Sequence, residues 1–170
     1  MGKILLWADL HLEHQKIILY SNRPFENAED MTKKLLQNWR ETVKKNDVIF
    51  NLGDLSFDRD KERLQKTIRN LPGYKVLIFG NHDRKKSYKW WSDIGFNEVY
   101  KYPIIFQDKY ILSHEPVQYG VGNDGYINIH GHIHNNFCML NEYYVNVSIE
   151  IIDYKPINFD VIKKKFEDGE

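Results

Sequence analysis

The chain has 170 residues, with 24 Lys+Arg against 24 Asp+Glu and a formal net charge of +0. At roughly 100–200 residues per domain, this length reads as one domain over residues 1–170, without a cap domain and able to fold without staples. A hydrophobic content of 42% with 28% charged residues excludes a disordered or collagen-like chain, and the balanced charge argues against a protein-wide coat for nucleic acid or an anionic membrane.

The first apolar run, Ile4–Ala8, is too short for a signal segment and is interrupted by Asp9. No stretch approaches the ~20 apolar residues of a membrane span. The lone Cys138 has no partner for an intramolecular disulfide, fits a reducing compartment, and reads as a small buried apolar residue. The expected setting is cytoplasmic.

Ile4–Ala8, Val48–Leu52 and Lys75–Phe79 are short, mostly apolar runs suited to strands covered on both faces. Between them lie helical patterns. A short one spans His14–Tyr20; a second starts at the N-cap candidate Asn27 and places Met31, Leu35, Leu36 and Trp39 at helical spacing up to about Lys45. A third runs from about Asp60 to Leu71, where Pro72-Gly73 stops it. The second half changes character. Tyr110–Leu112, Ile127–Ile129 and the alternating Tyr143–Ile149 read as strands, with one short helix near Lys85–Ile94 and a terminal one from about Asn158 to Phe166. Such an order predicts an α/β half followed by a β-rich half that packs a second sheet on the first. The doublet Trp90-Trp91 reads as packing, and Gly120–Gly125 as a loop at the rim of a site.

The metal-binding residue types fall at the ends of these strands. Asp9 and His11 follow the first; Gly53-Asp54 the second; Gly80-Asn81-His82-Asp83 the third; Ser113-His114 and His130-Gly131-His132-Ile133-His134 follow later ones. In an open α/β sheet, side chains past the carboxyl ends of parallel strands converge on one crevice. The result is a set of oxygen and imidazole donors without thiolate, suited to paired Mn, Fe, Ni or Zn ions rather than to a Cys-type structural zinc.

Taken in this order, Asp9-Leu10-His11, Gly53-Asp54, Gly80-Asn81-His82-Asp83, Ser113-His114 and Gly131-His132-Ile133-His134 resemble the signature of the calcineurin-like metallophosphoesterases. Asp9–His14 with Asn22-Arg23-Pro24-Phe25 is similar to a compact phage and bacterial subgroup. Ser113 stands where many members carry Gly. The resemblance implies a four-layer α/β/β/α sandwich of two mixed sheets flanked by helices. It also implies two divalent cations, manganese first, one held by Asp9, His11, Asp54 and His134, the other by Asp54, Asn81, His114 and His132. The implied reaction is hydrolysis of a phosphodiester, with phosphomonoesters a further substrate class, by water activated between the ions. His82 would be the general acid for the leaving oxygen, and Asp83 would orient it.

Arg23, His14 and Arg84 are candidates to hold the substrate, since a guanidinium can fork onto a phosphate. Glu115 or main-chain carbonyls are candidates to fix the second nitrogens of the ligand imidazoles. His130, in strand parity with His132, reads as a core or edge residue. The expected partner is a small phosphoester, with no membrane. A nuclease acting on single strands, helped by the basic strip Arg84–Lys86 and Lys89, is the alternative, and a non-catalytic scaffold on the same fold is the third reading.

Overall fold

The computed structural model of the chain describes residues 2–136, 138 and 140–167. Two mixed sheets pack face to face, flanked by helices. The first has the order β4-β3-β2-β1-β9, built from β1 (Ile4–Trp7), β2 (Val48–Asn51), β3 (Tyr74–Ile78), β4 (Glu98–Tyr100) and β9 (Ile157–Asn158). Strands β1 to β4 are parallel, and β9 pairs antiparallel to β1. The second has the order β5-β6-β7-β8, from β5 (Ile104–Phe106), β6 (Tyr110–Leu112), β7 (Ile127–His130) and β8 (Tyr144–Asn146), with β6, β7 and β8 parallel.

Side-chain parity explains the layering. Along β1, Leu5 and Trp7 face the helices while Leu6 and Ala8 face the other sheet; along β2, Ile49 faces the helices and Phe50 the other sheet. The helix layer consists of α1 (Gln15–Tyr20), α2 (Ala28–Thr42), α3 (Lys61–Arg69) and α4 (Tyr88–Ile94). It buries Ile17, Met31, Leu35, Trp39, Leu64, Ile68 and Trp91 against that face. Capping fixes the starts: Asn27 accepts from Asp30 N at 2.9 Å and Asp60 from Arg63 N at 3.0 Å, each such cap contributing about 1 kcal/mol. The fifth helix, α5 (Phe159–Glu167), sends Phe159 and Ile162 into the core between the sheets, where Phe159 meets Tyr110 edge-on at 4.8 Å. The outer face of the second sheet is covered by the loop after β6, tied down where Tyr144 donates to Val117 O at 2.7 Å.

Three short strands, β4, β5 and β9, have no signal in the sequence; each has two or three residues, and edge position rather than pattern makes them strands. The run Tyr143–Ile149 is strand only at Tyr144–Asn146. Beyond it the chain crosses between the sheets: Val147 N donates to His130 O, while Ala8 N donates to Val147 O and Ile149 N to Ala8 O. Cys138 is exposed, contrary to expectation, because it lies in the loop after β7 rather than in a strand. Among the described residues no helix is long and apolar enough to cross a membrane.

Candidate metal centre

The parallel strands of both sheets end at one place, and the loops after β1, β2, β3, β6 and β7 carry the predicted donors there. Backbone bonds lock the loops together: Asp9 N to Gly53 O at 3.0 Å, His11 N to Asp54 O at 2.9 Å, and Gly131 N to His114 O at 2.9 Å. The turns are tight enough to force five donors into the left-handed region, with φ of 61° at Asp9, 48° at His11, 52° at Asp54, 70° at His132 and 50° at His134. Strain of about 1–3 kcal/mol at each such residue persists only where the surroundings over-determine it, and it clusters at functional sites. Two glycines are required by close approach. A Cβ on Gly80 would lie 2.1 Å from Asp54 Oδ1, and one on Gly131 would lie 2.4 Å from Asp9 Oδ2.

Two groups of donors result. Asp9, His11 and His134 converge on one side, and Asp9, Asp54 and His114 on the other. Asp54 Oδ2 lies between them, 3.6 Å from His11 Nε2 and 3.6 Å from His114 Nε2. Asn81 Oδ1 is 3.0 Å from His114 Nε2, and His132 Nδ1 is 3.1 Å from the same atom, so both join the second group. All seven predicted metal-binding residues are thereby brought together.

The donors suit cations. Asp9 Oδ1 and His11 Nε2 are buried without a hydrogen-bond partner, whereas buried polar atoms in folded proteins are nearly always paired. Burial, with the Arg23 charge behind it, holds the His11 imidazole well below its ordinary value, and burial next to His114 lowers His132 as well. For both, the shift favours the neutral imidazole, the form that binds metal. Burial pushes the Asp9 carboxyl up against the pull of His114 and His134, a penalty that a bound cation would reverse.

Around the donors sits a supporting set. Asp9 Oδ2 accepts from His132 N and from the Ser148 hydroxyl, both at 2.8 Å. His114 Nδ1 bonds Leu52 O at 2.8 Å, a main-chain carbonyl as expected. His134 Nδ1 bonds Glu150 Oε1 at 2.9 Å. Glu115 does not serve this purpose; it is half-exposed and pairs with Arg84 at 3.4 Å on the surface. Sequence reasoning misses Ser148 and Glu150, whose only signal is a polar residue within or just beyond the alternation Tyr143–Ile149. For His134, burial lowers the imidazole pKa, but the bond to Glu150 and the nearby Asp9 carboxylate outweigh it.

Two expectations about individual side chains need correcting. Arg23 is not a substrate cation: it is buried, donating through Nη2 to Asp9 O at 2.7 Å, through Nη1 to Leu10 O at 3.0 Å, and through Nε to Glu150 Oε1 at 2.8 Å. It holds the backbone of the first metal loop. Asp83 does not orient His82. Its buried carboxylate accepts from Asp54 N at 2.7 Å, Gly80 N at 2.9 Å and Leu55 N at 3.2 Å, and His82 Nδ1 has no partner among the described residues. The amides of two metal loops converge on it, and burial raises its pKa, with the Asp54 charge adding to the effect. His14 is partly exposed beside the donors: its Nδ1 is 3.3 Å from His11 Nδ1, and its ring stacks on Phe57 at 3.8 Å.

His82 sits at the edge of the centre, one-third exposed, with Nε2 3.8 Å from Asp54 Oδ2 and its backbone N–H donated to Asp54 Oδ1 at 3.0 Å. His130 is buried, its Nδ1 2.9 Å from Gly131 O, in keeping with a core position.

Over residues 2–168 the sequence matches the family described as calcineurin-like phosphoesterase. It is 38% identical to the uncharacterized protein MJ1445 of Methanocaldococcus jannaschii, across 99% of this chain and 94% of that protein. The Gene 66 protein of Mycobacterium phage D29 is 27% identical, across 88% of this chain and 89% of that protein. Among solved structures, the protein of unknown function AQ665 from Aquifex aeolicus superposes with a TM-score of 0.76 at 27% identity, covering 96% of this chain and 99% of that one.

Proposed function

The chain belongs to the calcineurin-like phosphoesterase family, and from that premise we propose that it hydrolyses phosphodiester bonds of a small or nucleotide-like substrate at a dinuclear centre. Asp9, His11, Asp54 and His134 would hold one cation, and Asp54, Asn81, His114 and His132 the other. The observation that carries this reading is Asp54 Oδ2, equally distant at 3.6 Å from an imidazole nitrogen of each donor group, where one carboxylate can serve two ions. When bound, two divalent ions supply charge neutralisation on the phosphoryl oxygens and a water acidic enough to attack phosphorus near neutral pH. The mixed oxygen and imidazole donors, without thiolate, suit Mn, Fe, Ni or Zn, and the family resemblance puts manganese first.

The protein's own groups do the rest. Gly80 and Gly131, lacking Cβ atoms, let the loops close against Asp54 and Asp9. Glu150, itself fixed by Arg23 at 2.7 Å, holds the His134 ring through Nδ1 and leaves Nε2 facing Asp9 Oδ1 at 4.0 Å. His82, at the open edge of the centre, is placed to give a proton from Nε2 to the leaving oxygen. Completeness of the donor set argues against a scaffold without activity. Hydrolysis of bis-p-nitrophenyl phosphate that depends on added Mn²⁺ and stops with EDTA is the expected result; no hydrolysis with any divalent cation would contradict the proposal.

A further inference from the structure

Next to His82, and with none of the proposed metal ligands on its lining, lies a cavity of about 200 Å³ whose walls include Phe57, Trp90 and His82, with Arg59, Lys85 and Lys86 also on its lining. The sequence reading of Trp90-Trp91 as packing holds for both, Trp91 at 2% exposed and Trp90 partly buried against the same core, and Trp90 also lines this space. Phe57 ties the cavity to the centre: its ring lies 4.6 Å from the His82 ring and 5.3 Å from the His11 ring. The charge here is one-sided. Asp58, a carboxylate on the wall, is taken by Arg63 through bonds of 2.8 Å and 2.8 Å, while Lys85 and Lys86 have no carboxylate partner among the described residues. Lys86 Nζ sits 5.3 Å from the Trp90 ring centre, so an anion bound by this lysine would lie beside an aromatic face.

We propose that this cavity receives the leaving group of the diester and selects one that carries a planar aromatic ring next to an anionic group, as a nucleotide does. The assignment rests on the phosphoesterase reading, because the proton donor His82 is what defines the leaving side. Aromatic walls bind flat heterocycles by stacking with little regard to sequence, and unpaired lysines bind phosphate as point charges. A cavity of about 200 Å³ is smaller than the usual pocket for a drug-sized ligand, so it suits one ring system rather than a whole dinucleotide. Trp90 and Lys86 are thus specificity-determining residues, and Phe57 a shared wall between the reaction centre and the leaving-group site.

The test uses the metal-free protein, so that phosphate binding by the ions cannot contribute. The Trp90 indole N–H signal, identified by its loss in Trp90→Phe, is followed by NMR during titration with adenosine 5'-monophosphate and, separately, ribose 5-phosphate. The nucleotide should move the signal saturably and bind about tenfold more tightly than the sugar phosphate. Lys86→Glu, an exposed substitution that spares the core, should weaken nucleotide binding about tenfold. An unmoved Trp90 signal, equal affinity for ribose 5-phosphate, or unchanged affinity in Lys86→Glu would each overturn the assignment. Hydrolysis of bis-p-nitrophenyl phosphate by the Mn²⁺-loaded protein reports separately on the phosphoesterase reading. Hydrolysis with a silent Trp90 overturns the cavity alone; a responsive Trp90 without hydrolysis under Mn²⁺ or any other divalent cation overturns the phosphoesterase reading and leaves a nucleotide site.

Discussion

The Asp83 carboxylate accepts the backbone N–H of Asp54 at 2.7 Å, so the residue after the expected proton donor positions the expected bridging ligand instead. The same carboxylate holds Leu55 N and Gly80 N. A buried acceptor of three amides cannot be lost cheaply. Asp83→Ala should destabilise the protein by about 3 kcal/mol and loosen metal binding, read from urea unfolding and Mn²⁺ titration. If Asp83 instead oriented His82, the variant would unfold like the wild type and lose only turnover.

His82 should separate binding from chemistry. Because it lies outside the proposed ligand set, His82→Ala should keep its full metal content. On diesters with poor leaving groups its kcat should fall roughly 10²–10⁴-fold, with a much smaller loss on p-nitrophenyl esters, whose leaving group needs no proton. An equal loss on both substrate types would remove the role of acid.

Arg23 and Glu150 act as a unit behind the first metal loop. Breaking a buried ion pair by removing one partner costs about 3–5 kcal/mol, so Arg23→Ala should lower thermal stability sharply whatever the substrate. Glu150→Gln keeps the shape but weakens the acceptor for His134 Nδ1, and it should reduce metal affinity by about 10–100-fold. Metal titration of Glu150→Gln at fixed pH checks this, with unchanged affinity the contrary result.

Cation binding should also show in stability without any substrate. Ions held by the native state alone stabilise it by about 2.7 kcal/mol at a free concentration of 100 Kd, so Mn²⁺ should raise Tm and EDTA should return it to the starting value. Asp54→Asn, which weakens the carboxylate lying between the two donor groups, should abolish most of that rise.

The ligands are legible in the sequence because each comes just after a short apolar run, and parallel strands deliver the residues at their carboxyl ends to one edge. The supporting residues are not. Arg23 reaches Asp9 O, and Glu150 reaches His134, through contacts that depend on how α1 and the crossing segment 147–150 pack, and no local spacing encodes that. Asp83 is visible as a residue but not as a clamp, since its role depends on amides from a loop 28 or 29 positions away. The left-handed backbone of Asp9, His11, Asp54, His132 and His134 is equally hidden, because Asp and His do not announce such turns as glycine does. Strands β4, β5 and β9 carry too few residues for alternation to register.

The central claim is that Asp54 joins two cations in one centre. The most direct measurement is the electron paramagnetic resonance spectrum of Mn²⁺-loaded protein, taken with the metal content per chain, for the wild type and Asp54→Asn. Two ions per wild-type chain are expected, with the spectrum of an exchange-coupled pair, and that coupling should be lost in Asp54→Asn. A wild-type spectrum of isolated Mn²⁺ at one ion per chain would contradict the claim.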